Sequence, residues 1–293
     1  MCISPITLKK DKLRHTYKES TMTDLVPCGK CVLCLKRRTN SWAFRLLQEV
    51  KISSSAIFLT LTYDNENLPL DNVTNTYIDY DTGECTDYHY KDVPVLDKSD
   101  PQKFLKRLRK RLKTSNIKYY GCGEYGNNRT KRPHYHFIMF NLPQEYIKTH
   151  DLLTEIWGKG LIHIGDCNEA TIKYTTKYIM KSLKNKNTTL PPEFAIMSKY
   201  LGVSFLTPQM VQFYQNNPQS HVTLPGGIKT SLPRYFKEKI FEPEILHKLT
   251  VRGQIKMENY DTENFKNDNH KHEWKKDKIR QHENAIRRER DKL

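Results

Sequence analysis

The sequence predicts an α+β chain built from antiparallel strands and amphipathic helices, and three stretches carry that prediction. Residues 56–63 (Ala56-Ile57-Phe58-Leu59-Thr60-Leu61-Thr62-Tyr63) are β-branched and aromatic enough for a core strand. Residues 117–124 and 133–140 read as two strands joined through Gly126-Asn127-Asn128-Arg129, a turn that folds them into an antiparallel hairpin. Asp100-Pro101 opens a helix, with a capping acceptor followed by proline in the first turn. Phe104, Leu105, Leu108 and Leu112 give that helix its buried stripe.

The other elements follow in chain order. Residues 1–35 form an irregular, cysteine-bearing lead. Residues 36–51 read as a basic amphipathic helix with Trp42, Leu46 and Val50 at helical spacing. The polar stretch from Asp64 to Ser99 reads as a long excursion or a small hairpin. The helix after Asp100 also carries Lys103, Lys106, Arg107, Arg109, Lys110 and Arg111, either a solvated face or a DNA contact. A helix near 144–157, a short strand Leu161-Ile162-His163-Ile164 and a helix from about Asn168 come next. After Leu190-Pro191-Pro192 the pattern loosens into short strands and turns, including Leu224-Pro225-Gly226-Gly227. Beyond about Lys248 the chain is polar, and residues 271–293 place Ile279, Ile286 and Leu293 at heptad spacing. That end reads as a solvated helix or a disordered arm, with a short coiled coil as the alternative. The expected organisation is a cysteine-rich segment over 1–35, a main domain over 36–245 and a charged tail over 246–293.

Composition narrows the function. The 293 residues are 37% hydrophobic and 28% charged, with a formal net charge of +16, which favours a polyanionic partner. No apolar run approaches the roughly 18–20 residues that span a bilayer, and the N-terminus lacks a signal-peptide core. A cytoplasmic protein with no membrane partner is expected. Seven cysteines in a reducing compartment favour metal binding over disulfides. Cys28-x-x-Cys31-x-x-Cys34 has knuckle-like spacing, and Cys2 completes a set of four thiolates for a structural Zn²⁺; buried, uncoordinated thiols are the alternative. Cys85, Cys122 and Cys167 read as ordinary residues.

Two constellations carry chemistry. His134 and His136 are two apart on a strand, so they share a face. The hairpin register sets Glu124 opposite His134, and two imidazoles plus a carboxylate make a three-ligand site for Mg²⁺ or Mn²⁺. His163 is the rival third ligand. Downstream, Tyr174 and Tyr178 stand one helical turn apart, about 6 Å, with Lys177 beside the second. Two core aromatics would give the same spacing, but Lys173, Lys177 and Lys181 make this helix too basic for a face buried in hydrocarbon. A phenol near cationic charge is a nucleophile for a phosphodiester. Arg129, Lys131 and Arg132 at the hairpin, with Lys173 and Lys181 on the helix, are the candidate DNA contacts.

In order, Phe58-Leu59-Thr60-Leu61-Thr62, His134-Tyr135-His136 and Tyr174-x-x-Lys177-Tyr178 resemble the three motifs of the HUH endonucleases. The two-tyrosine form resembles the rolling-circle replication initiators of small single-stranded DNA phages, the microviruses. Val26-Pro27-Cys28-Gly29-Lys30-Cys31, Asn40-Ser41-Trp42-Ala43, Gly123-Glu124-Tyr125-Gly126 and Leu232-Pro233-Arg234-Tyr235 are similar to the gokushovirus branch. The likeness spans about residues 26–240. Tyr135 departs from it, standing where that family usually has an aliphatic residue.

The resemblance implies an antiparallel sheet of about five strands flanked by helices. It implies catalysis by Tyr174, Tyr178 and Lys177 at a metal held by His134, His136 and Glu124, nicking phage origin DNA and rejoining it as a single-stranded circle. It also implies a bacterial host cell, whose helicase and polymerase are expected partners. Two other functions fit the composition: a non-catalytic, zinc-containing binder of single-stranded nucleic acid, and a single-tyrosine transposase or relaxase in which one phenol is idle. A mere binder has no use for the tyrosine helix that follows the His/Glu hairpin.

Overall fold

The computed structural model describes residues 2–7, 25–79, 81–113, 116–126, 131–148, 150–177, 188–224 and 227–290. Two compact units divide the chain: residues 42–207 form one, and residues 1–41 with 208–293 form the other.

The central unit is an α+β structure around a five-stranded antiparallel sheet. Its strands are β3 (Ala56–Thr62), β6 (Lys118–Tyr125), β7 (Pro133–Phe140), β8 (Ile162–Asp166) and β9 (Phe194–Met197), in the order β8-β3-β7-β6-β9. Between β3 and β6 the chain makes a two-stranded ribbon, β4 (Leu70–Ile78) with β5 (Cys85–Pro94), so the polar stretch is a hairpin. Helix α2 (Ser99–Leu112) follows that ribbon. Its opening differs from expectation: the Asp97 carboxylate accepts from the Ser99 amide at 2.7 Å and its hydroxyl at 2.9 Å. Asp100 is instead buried, accepting from the Tyr63 hydroxyl at 2.8 Å and facing Lys159 at 3.3 Å.

Both faces of the sheet are covered. Under one face, Leu59, Leu61, Tyr135, Phe137 and Met139 pack against Phe104, Leu105 and Leu108 of α2. Leu153 and Trp157 of α4 (His150–Trp157) join them. The helix expected near 144–157 is thus divided into α3 (Gln144–Lys148) and α4. Over the other face, Tyr120, Ile138 and Phe140 pack against Ala43 and Leu46 of α1 (Val32–Val50) and Ile172 of α5 (Glu169–Lys177). Asn168 caps α5, its side-chain oxygen accepting from the Thr171 amide at 3.0 Å while the Thr171 hydroxyl accepts from the Asn168 amide at 2.9 Å. Gly160 holds the entry to β8 at φ +140°, and a Cβ there would lie 2.4 Å from the Asp64 nitrogen. Only glycine lets this loop approach the end of β3 so closely.

The second unit starts with the two-residue ribbon β1 (Ile6–Thr7) and β2 (Leu25–Val26). Further along come α6 (Pro208–Asn216), the hairpin β10 (His221–Thr223) with β11 (Lys229–Ser231), and α7 (Arg234–Ile240). The charged end of the chain is helical, as α8 (Pro243–Asn264) and α9 (Asp268–Arg290). Phe265 between them packs on Trp274 at 5.4 Å between ring centroids. Among the described residues, no helix is long and apolar enough to cross a membrane.

Candidate metal centre and tyrosine helix

The hairpin of β6 and β7 assembles the site. Its register pairs Glu124 with His134 and Cys122 with His136, and residues paired across antiparallel strands share a face. The Nε2 atoms of His134 and His136 lie 2.7 and 3.0 Å from the same Glu124 Oε1. Glu124 and His136 are 3% and 6% exposed, while His134 is half-buried, which leaves the centre one open side. Burial pushes the Glu124 carboxyl up. Hydrogen bonds from His134 and His136 and their positive charge outweigh burial and hold it down at about 2.

Each imidazole is held by its far nitrogen. His134 Nδ1–H donates to the Arg132 carbonyl at 3.1 Å, and His136 Nδ1 lies 2.9 Å from the Thr60 hydroxyl. A carbonyl only accepts, so His134 carries its proton on Nδ1, leaving Nε2 available as a neutral ligand. Phe58 stacks on the other side of His136 at 5.2 Å between centroids and 17° between planes. The sequence flags Phe58 and Thr60 as parts of a strand motif, but their places in the site depend on a pairing 76 residues long.

This donor set suits a divalent cation. The ligand atoms of Glu124, His134 and His136 lie within 4.8 Å of one another, and three ligands leave positions for water or phosphate oxygen. His163 faces the same side, opposite Thr60, which is itself opposite His136. Two strand spacings, roughly 9–10 Å, therefore separate the His163 backbone from that of His136. Among the described residues, the group that gathers with the two imidazoles is the Glu124 carboxylate.

Helix α5 lies over this face and brings Tyr174 to the centre. Its hydroxyl donates to Glu124 Oε1 at 3.4 Å, and its ring stands edge-on to His136 at 5.3 Å. Thr175 and Thr176 are buried, and their hydroxyls donate back to the Thr171 and Ile172 carbonyls at 2.8 and 2.9 Å. Lys177 ends the helix half-buried, and Lys173 is exposed and paired with Glu169. Tyr178, Lys181 and Arg129 lie outside the described residues. At the hairpin, Lys131 is exposed, whereas the Arg132 guanidinium donates to Asn65 Oδ1 at 2.9 Å and to the carbonyls of Tyr63 and Asp64 at 3.1 and 2.9 Å. That network ties the start of β7 to the turn after β3.

Tyr135 points to the opposite side of the sheet. Its hydroxyl donates to the Asp97 carbonyl at 2.8 Å and lies 2.7 Å from the Tyr63 hydroxyl. A buried polar network at the head of α2 therefore occupies its tip.

The second unit holds another cluster that could bind a metal ion: the sulfurs of Cys2, Cys28, Cys31 and Cys34 lie within 4.8 Å of one another. Burial pushes Cys34 up to about 12. Cys31 is also pushed up by burial, but amide donation from Ile3 and Cys34 brings it down to about 6.

Comparison with known proteins gives a consistent family. A family model for replication-associated proteins of the ORF2 type matches residues 56–183, a span inside the central unit that contains the metal-type centre and α5. The chain is 29% identical to the replication-associated protein ORF2 of Spiroplasma virus 4, over 76% of this chain and 70% of that protein. It is 27% identical to the replication-associated protein VP4 of Bdellovibrio phage phiMH2K, over 72% of this chain and 66% of that one. It is 26% identical to the replication-associated protein ORF4 of Chlamydia phage 1, over 73% of this chain and about half, 53%, of that protein. No solved structure matches the chain.

Proposed function

From the premise that this chain is kin to the replication-associated proteins of small single-stranded DNA phages, we propose that it initiates rolling-circle replication by nicking one strand of the phage origin and later rejoining it. The observation that carries this reading is the Tyr174 hydroxyl, 3.4 Å from the carboxylate oxygen that both imidazoles also touch. A phenol at the rim of a three-ligand centre can reach a phosphodiester held there.

Glu124, His134 and His136 would hold Mg²⁺ or Mn²⁺. The bound ion would supply Lewis-acid polarisation of the scissile phosphate. The residues do the rest. Glu124 accepts from the Tyr174 hydroxyl and so aims its oxygen at the centre. Lys177, on the same helix, favours the phenolate through its charge. The phenolate oxygen bonds to phosphorus as the bond from phosphorus to the 3′ oxygen breaks, and that oxygen leaves as a 3′-hydroxyl. The product is a 5′-phosphotyrosine, whose ester keeps the bond energy, so attack by a 3′-hydroxyl reseals the strand without ATP. Tyr178 would serve the second cut after a round of synthesis, and the two phenols would then exchange roles. Lys131 and Lys173, exposed beside the two motifs, would track the DNA backbone.

The test is cleavage of single-stranded origin DNA with Mn²⁺ added. The wild type is expected to cleave only with the metal. Changing His134 and His136 to alanine should reduce the rate by on the order of 10² or more. Metal-independent cleavage by both proteins would reject the centre as the reacting site.

A further inference from the structure

The cysteine cluster lies outside the unit that carries the nicking site, and nothing in the proposed reaction uses it. We infer that Cys2, Cys28, Cys31 and Cys34 bind one structural Zn²⁺ that fastens the N-terminal strand to the start of α1.

Geometry is the main support. All seven cysteines are free thiols, so no disulfide holds these four together. Cys2 Sγ lies 3.5 Å from Cys28 Sγ and 3.8 Å from Cys31 Sγ. Zinc–sulfur bonds of about 2.3 Å in a tetrahedron place the sulfurs about 3.8 Å apart. Backbone amides also point at the sulfurs. Cys28 N–H donates to Cys2 Sγ at 3.3 Å, Cys31 N–H to Cys28 Sγ at 3.2 Å and Ile3 N–H to Cys31 Sγ at 3.5 Å. Such donors stabilise thiolates and orient them as ligands. Gly29 adopts φ +73° with open space where a Cβ would be, so the turn between Cys28 and Cys31 needs its backbone freedom. The last ligand, Cys34, sits in the first turn of α1, where the Leu35 amide donates to the Cys31 carbonyl at 3.0 Å.

The local architecture has little else to hold it. The ribbon of β1 and β2 pairs two residues with two, too short to be stable alone. Ile3 is the buried aliphatic residue of the described N-terminal strand. A tetrathiolate zinc, worth on the order of 10 kcal/mol in small zinc-dependent folds, is enough to make that segment fold where its apolar area is not. Four soft sulfurs also select zinc over the hard cations suited to the His/Glu centre, so the two centres respond differently to metal.

Metal analysis of the full chain, purified without chelator, tests this independently of nicking. About one equivalent of zinc per chain is expected. It should persist when His134 and His136 are both changed to alanine, and disappear in Cys28→Ser/Cys31→Ser. Because loss of zinc in the cysteine variant could reflect misfolding alone, Co²⁺ replacement in the wild type gives a second readout. Strong thiolate-to-cobalt charge transfer with tetrahedral d–d bands would support the proposal. No bound metal, iron in place of zinc, zinc that follows the histidine pair, or a weak octahedral cobalt spectrum would each overturn it.

Discussion

Thr60 makes the smallest contribution that the site can be tested on. Its hydroxyl fixes the far nitrogen of His136 at 2.9 Å, and Thr60→Val keeps the shape and β preference while removing that partner. Removing an outer partner of a metal-ligating histidine costs about 10–100-fold in affinity. Thr60→Val should therefore weaken Mn²⁺ binding by at least about 10-fold, measured by titration calorimetry, with little change in Tm. Glu124 offers a test by pH. Its carboxyl is held near 2 against a free value of 4.5, so in chelated buffer it contributes stability above about pH 4.5 that is lost as pH falls toward 2. The Tm advantage of wild type over Glu124→Gln should shrink between about pH 5 and about pH 3. An advantage that stays constant would mean that the carboxylate is not held by the imidazoles.

At the scale of elements, the hairpin is the most readable part of the sequence. Alternation in β7 and a central turn are enough to set Glu124 opposite His134, and that register is the observed one. Helix α5 is announced by Asn168 and Thr171, whose side chains cap it reciprocally with backbone amides. What cannot be read from the sequence depends on long-range pairing. β9 is four residues with no strong alternation, and it becomes a strand by pairing with β6 some seventy residues earlier. The head of α2 misleads because Asp97, not Asp100, accepts from the helix amide, and Asp100 serves a buried tyrosine network instead. Tyr135 at a position usually aliphatic is explained by that same network. Tyr135→Phe should cost about 1–2 kcal/mol in chemical denaturation, since Asp97 loses a buried donor. Metal binding should be unchanged, because Tyr135 lies on the opposite face from His134 and His136.

Over the whole molecule, charge and the two units set the expectations. A chain with a net charge of +16 should hold DNA with a steep salt dependence. Besides the exposed lysines near the central site, the second unit has a crevice of about 230 Å³ lined by Lys36, Arg37, Asn40, Lys229, Thr230 and Ser231. Three cations and two hydroxyls around a space that size suit a phosphate. Changing Lys36 and Arg37 to alanine should lower the slope of log affinity against log salt by about 2 for single-stranded DNA, since each phosphate that a cation neutralises adds roughly one to it. Unchanged slopes would leave the crevice with no role in DNA binding.

The central claim is that a tyrosine oxygen beside the Glu124/His134/His136 centre takes up the DNA phosphate. Mass spectrometry of tryptic peptides, after reaction with single-stranded origin DNA and Mn²⁺, tests it most directly. The account predicts a nucleotide attached through its 5′ phosphate to the peptide carrying Tyr174 or Tyr178, lost when both are changed to phenylalanine. Cleavage that persists in that double variant, releasing a free 5′ phosphate and leaving no modified peptide, would contradict it.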